Sequence, residues 1–295
     1  MGLFFSSDRF TRPGPGVRPD TPRKKGVARL AEIMGRDMWN FFRAGFLAFL
    51  GCLPFIIGMF FAVETHALLF MLLAGIIGGL IAGPELSAMA DTVLRSLRDE
   101  PGYWWETYRR VWKRNARESL VPGMLTGLVL SMQIFTLFHM SVISAGIVTW
   151  VLLILSFVVT LGLESYIWPQ IALLDLPLYG ILKNSLLLFL GYLPRSLGAI
   201  AIKAVYWGAI LLFFPLTTII LPFTNFWLPM LPALLCVYQP LNKCFTIEST
   251  INKMREDELN AALAKDNEPL PEDPTEKAEE STEASSDDSS SDDVQ

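Results

Sequence analysis

An all-α, polytopic integral membrane bundle of about six transmembrane helices, flanked by interfacial amphipathic helices, is the architecture to which this sequence is suited. Of its 295 residues, 52% are hydrophobic and 18% charged, well below the charge content of an ordinary soluble domain. Residues 119–163 and 204–242 contain no Asp, Glu, Lys or Arg. These runs are 45 and 39 residues long, and since one crossing takes about 20 apolar residues, each holds two. Lys and Arg collect before the first expected span, between the second and third, and after the last. They are absent around 64–66, 139–145 and 222–226, so positive-inside topology places both termini and residues 85–118 in the cytoplasm.

Residues 1–26 carry Pro13, Pro15, Pro19, Pro22 and the Arg23-Lys24-Lys25 cluster, a composition that cannot bury a core and predicts a disordered basic arm. No small-residue cleavage site follows, so the first span is expected to be retained rather than removed as a signal peptide. From Val27 to Arg43, Leu30, Ile33, Met34, Met38, Phe41 and Phe42 recur at helical spacing between charges, which predicts an amphipathic helix leading into a span at 44–63. A second span, 67–83, is rich in Ala74, Gly75, Gly78, Gly79 and Gly83. Small residues four apart let helices approach closely in lipid, and a tightly packed hairpin is preferred to a dimerisation face.

Residues 85–118 form the longest polar insertion. Trp105, Tyr108 and Trp112 fall at i, i+3 and i+7 among Arg109, Arg110, Lys113 and Arg114. That spacing predicts an interfacial helix anchored on an anionic inner leaflet, a reading that adjacent spans favour over a nucleic-acid patch. A third span is expected at 120–138, a turn at 139–144, and a fourth from 146 to 174 through Pro169. A mildly amphipathic segment at 178–193 precedes a fifth span at 196–220, a turn at 222–226 and a sixth at 227–241. The membrane domain thus covers 27–250. Residues 256–295 hold fifteen of the 29 acids and two of the 24 bases, leaving +8 on the remainder, so 251–295 is expected to be a disordered acidic tail. Phe49-Leu-Gly-Cys-Leu-Pro54 recurs as Phe189-Leu-Gly-Tyr-Leu-Pro194, compatible with an internal repeat or with a small apolar alphabet.

Catalytic chemistry has few candidates. His66 and His139 stand at expected outer ends of spans outside any HxxxH or HxxE pattern and are expected to be solvated loop residues. Ser165 follows Glu164 without the glycines of a nucleophile elbow, and no phosphate-binding Gly-rich loop opens a helix. Cys52, Cys236 and Cys244 form no CxxC pair, so neither a disulfide framework nor a metal site is expected. No cofactor is called for, and the chain is expected not to be an enzyme.

Glu164 and Lys203 are unusual because an unpaired charge inside a span costs several kcal/mol. Glu164 lies ten residues, about 15 Å, from Leu174, and Lys203 eight residues, about 12 Å, from Arg195. Their depths agree, which predicts an ion pair between the fourth and fifth spans.

The segments Phe46–Pro54, Ala82–Met89, Tyr108–Gly123 (YRRVWKRNARESLVPG) and Ile171–Gly198 (IALLDLPLYGILKNSLLLFLGYLPRSLG) together resemble the YesL family, bacterial membrane proteins built around a domain of unknown function. The likeness runs over most of 35–245. Family members often stand beside carbohydrate uptake and degradation systems, so the resemblance implies an accessory or regulatory protein linked to carbohydrate uptake, possessing no residue with an established role. The alternative is a small secondary transporter or channel with a midplane site near Glu164 and Lys203, where Pro- and Gly-interrupted helices meet buried charge.

Overall fold

The computed structural model describes residue 24 and residues 26–100, 102–142 and 146–266. The expected basic arm, apart from Lys24 and Gly26, and the acidic tail beyond Asp266 lie outside the described residues. All regular structure among the described residues is helical. In order these are α1 (Gly26–Thr65), α2 (Leu68–Leu73), a π turn (Ala74–Gly78), α3 (Gly79–Arg98), α4 (Trp104–Phe138), α5 (Ile147–Leu173), α6 (Leu178–Gly191), α7 (Leu193–Leu212), α8 (Thr217–Thr224), α9 (Trp227–Phe245) and α10 (Ile247–Asp266).

Among these, five segments are long and apolar enough to cross a membrane: α1, the rod from Leu68 to Arg98, α4, α5 and α7. The chain is therefore a membrane-embedded helical bundle. The sixth expected span is the 19-residue α9, which stands outside that set. Its Pro232, Gln239, Pro240, Asn242 and Lys243 dilute its apolar character. The surroundings explain why this is tolerated. α9 packs on α7, α1, α3 and α5, and Leu231, Val237 and Leu241 are fully buried. A helix walled by protein needs less lipophilicity than one facing acyl chains.

Several expected boundaries move. The amphipathic lead at 27–43 and the first span are one uninterrupted helix, α1, that runs through Pro54. The insertion at 85–118 is no separate surface element. It is the end of α3, a short connection after Arg98, and the first turns of α4, which continues into the third span through Pro122. Because a proline N–H is absent and its ring clashes with the preceding turn, Pro215 helps to end the fifth span at Leu212 rather than Ile220, and a second short helix, α8, follows. The two copies of the Phe-Leu-Gly-x-Leu-Pro echo differ as well: α1 passes straight through Pro54, whereas the chain breaks at Tyr192 and Pro194 starts α7.

The chain divides into two units at Thr246. The second, described by itself, begins with Thr246 at φ 48°, whose carbonyl accepts from the Thr250 N–H at 3.0 Å and the Ser249 hydroxyl at 2.8 Å. Expected as disordered from 251, this segment is helical to Asp266, its Ala261, Ala262, Leu263 and Ala264 being good helix formers.

Candidate functional site

Two helix contacts frame the interior. One is a seam of backbone on backbone between the π turn with α3 and α4, the most extensive contact in the bundle. Gly75, Gly79 and Gly83 face Gly127, Gly123 and Ser119 there, and a methyl group on Gly127 would lie 2.8 Å from the Gly79 Cα. On the other side of the rod, Gly58 of α1 meets Ala74 and Gly78 meets Phe55. The small-residue stripe is therefore consumed inside this chain, on two neighbours, and only glycine permits such approach.

The other frame encloses a cavity of about 410 Å³. Its wall is drawn from α1, α3, α4, α5 and α7 to α9, and it is apolar apart from Thr126, Cys52, two indoles, Glu164 and Lys203. Sequence reasoning placed these two charges at one depth, and the structure brings both to this cavity. It does not close them into an ion pair. No Glu164–Lys203 contact falls within 4 Å; the Lys203 ammonium is directed at the Leu161 carbonyl at 3.5 Å. That carbonyl already accepts the Ser165 hydroxyl at 2.8 Å. Equal depth fixes height along the membrane normal but leaves the side-chain directions free, and here Lys203 reaches the backbone of α5 one turn from Glu164 rather than its carboxylate. Lys203 retains 8% of its surface, and Glu164 accepts no hydrogen bond from any described residue.

Polar clasps hold α5 around this space. Gln133 of α4 donates to Ser156 and Thr160 at 3.0 and 2.8 Å. Gln170 donates to Ser185 of α6 at 2.8 Å, and the Tyr166 and Ser196 hydroxyls lie 2.9 Å apart. Hydrogen bonds of this kind fix helix order where the hydrophobic effect is silent.

At one end of the bundle the charges are closed instead. Arg29 of α1 donates to Asp99 at 2.6 Å and to the Leu97 carbonyl at 3.1 Å. Arg36 donates to the other oxygen of Asp99 and, at 2.8 Å, to the Ser96 carbonyl, while the Ser96 hydroxyl donates to Asp37. Arginine on the last carbonyls of α3 satisfies acceptors that the helix leaves open. Burial raises the Asp99 carboxyl, but the hydrogen bonds from Arg36 and Arg29 outweigh it and hold the group below its ordinary value.

The expected interfacial anchors separate into two classes. Trp105 and Trp112 expose 58% and 36% of their surface, and Arg109, Arg110 and Lys113 are exposed. Tyr108 is not an anchor: it is 4% exposed and donates to Glu85 of α3 at 2.5 Å, while the Trp112 indole donates to the other carboxylate oxygen at 2.9 Å. Arg114 is exposed as well, and donates to the Ala172 carbonyl at 2.9 Å at the end of α5. Periodicity located the helix face but gave no sign that α3 would supply a carboxylate to it.

The two histidines divide: His66 is an exposed turn residue, as expected, whereas His139 is buried. His66 Nδ1 and His139 Nε2 lie 2.7 Å apart, and His139 is 6% exposed. His139 Nδ1 is 2.8 Å from the Phe135 carbonyl, which can only accept, so Nδ1 carries a proton. They are 73 residues apart, and only packing of α1 against α4 unites them. Asn225, placed in an outer turn by the sequence, is fully buried and bonded to the Pro222 carbonyl at 3.0 Å. Among the described residues no group of three His, Cys, Asp or Glu side chains could hold a metal ion. No family model, curated protein or solved structure matches the chain.

Proposed function

We propose that this chain is a non-enzymatic, multi-pass protein of a bacterial plasma membrane, YesL-like, that serves as an accessory or regulatory component of carbohydrate uptake. The observation carrying this reading is the wall of the cavity. A sugar presents hydroxyl groups all round and needs a matching set of donors and acceptors, since each unpaired one is costly. Thr126, Glu164 and Lys203 amid hydrocarbon are too few, so a sugar pathway would have to belong to a partner such as an uptake transporter. On this reading six helices cross, α9 among them, both termini are cytoplasmic, and the exposed Trp105, Trp112, Arg109, Arg110 and Lys113 rest on an anionic inner leaflet.

A second reading, a small secondary transporter for something other than a sugar, is favoured by the open placement of Glu164 and Lys203 in the cavity. Reconstitution of the purified chain alone in liposomes separates the two. The accessory role predicts no uptake of labelled mono- or disaccharides, and sugar flux without a partner would overturn it. Membrane sidedness is tested by cysteine labelling from outside: a Cys at exposed Val142 should react and one at Arg110 should not.

A further inference from the structure

The cavity holds two opposite charges that the protein does not satisfy. Lys203 is more than nine-tenths buried, and among the described residues its ammonium has one long bond, to a carbonyl already bonded by Ser165. An ammonium can donate three hydrogen bonds, so the described residues leave most of this capacity unused. Glu164, on the same wall, accepts nothing. Among the described residues no ion pair joins the two, and their charged atoms stay more than 4 Å apart. A buried pair contributing to structure alone should close, because contact is what offsets desolvation. Opposite charges left unpaired on the wall of one cavity instead complement a molecule that carries both signs itself.

We propose that this cavity binds a small zwitterion with an apolar body, an apolar α-amino acid, its carboxylate on Lys203 and its ammonium on Glu164. Charge selects this class. The site is neutral overall, so a neutral zwitterion leaves no charge unmatched, whereas an acid alone strands Glu164 and an amine alone strands Lys203. Size agrees: about 410 Å³ lies in the range of small-molecule sites. The remaining wall, with Phe157, Trp168, Trp207 and Met230, suits a branched aliphatic or aromatic side chain. A phospholipid fits poorly. Lys203 is ten residues from Leu193, or about 15 Å along the helix, which would draw a headgroup to mid-membrane. The inference stands whether or not the link to carbohydrate uptake holds, since it concerns binding by this chain alone.

Trp168 and Trp207 on the wall supply the readout. The full chain in nanodiscs is titrated with L-leucine, with isocaproate, which lacks the amine, and with isopentylamine, which lacks the carboxylate, following tryptophan emission and calorimetric heat. L-leucine should bind saturably, at least about tenfold more tightly than either single-charge analogue. Glu164→Gln should shift preference toward isocaproate, and Lys203→Met toward isopentylamine. If either variant fails to fold, the series on the unaltered protein decides alone. No saturable binding of L-leucine, or equal binding of all three, overturns the proposal.

Discussion

The seam between α3 and α4 and the cavity beside α5 and α7 are made from the same apolar alphabet and are opposite in effect. At the seam, glycines let backbone meet backbone beside the small Ser119 and Ser131. The cavity shares Gly79, Gly123 and Gly127 with the seam but is otherwise walled by bulky residues such as Phe157, Trp207 and Met230, and its two opposite charges form no ion pair with each other. Charge follows the same division. Asp99 is closed on two arginines at the bundle end, while Glu164 and Lys203 are left open inside. In lipid, where burial of apolar surface gives helices no preference for one another, tight packing marks what must stay still and unsatisfied polarity marks what must receive something.

The largest effect is expected from disturbing the seam. Gly123→Leu places a branched side chain against the Gly79 carbonyl and Gly83 Cα, with no flexible neighbour to yield. A loss of about 3 kcal/mol or more, or failure to fold, is expected by thermal unfolding in detergent. Its counterpart at the cavity, Leu130→Phe, adds volume where space exists and should change stability by less than about 1.5 kcal/mol. Equal damage from both would erase the distinction.

Asp99→Asn comes next. It leaves the Arg29 and Arg36 guanidiniums without their shared carboxylate, and a third of the Asp99 side chain is solvent-exposed, so the expected cost is roughly 1–2 kcal/mol. The sign with pH follows from its lowered folded-state value. The contribution is fully present above the ordinary aspartate range, near pH 4, and is lost as pH falls through the lower folded-state value. Unfolding midpoints between pH 5 and about 2.5 should fall more steeply in the native chain than in Asp99→Asn; parallel curves would mean that the carboxylate carries no linkage.

The smallest effect concerns Arg110 and Glu106, whose i,i+4 pair at 3.0 Å leaves both side chains at least 70% exposed. Arg110→Ala should move stability by less than about 0.5 kcal/mol. A large stability loss would show that this face packs on protein.

Much of this division was legible in the sequence. Small residues four apart at Gly75, Gly79 and Gly83 announced a close contact, and counting residues along helices placed Glu164 and Lys203 at one depth. What could not be read was lateral. A one-dimensional pattern reports depth and face but not the distance between facing side chains, so it could not show that the two charges line one cavity without pairing. The same blindness hid the contact of His66 with His139, 73 residues on, and the turn of Tyr108 toward Glu85 on the preceding helix. Breaks were easier to expect than to place: Pro54 and Pro194 share a local sequence, and only the second starts a helix. The dilute hydropathy of α9 has a different cause, since this helix packs on protein rather than facing lipid.

Adjacent residues of α4 give the most direct test that one side of the bundle is sealed and the other open. Leu130 lines the cavity, and Ser131 is fully buried at the seam, where a methyl group on Gly75 would lie 2.5 Å from its hydroxyl. In a background with Cys52, Cys236 and Cys244 replaced by alanine, Leu130→Cys and Ser131→Cys would each be treated with N-ethylmaleimide in the folded protein. Thiol reactivity follows access, so Leu130→Cys should react at least about tenfold faster than Ser131→Cys. Equal rates, or faster reaction at Ser131→Cys, would contradict the account.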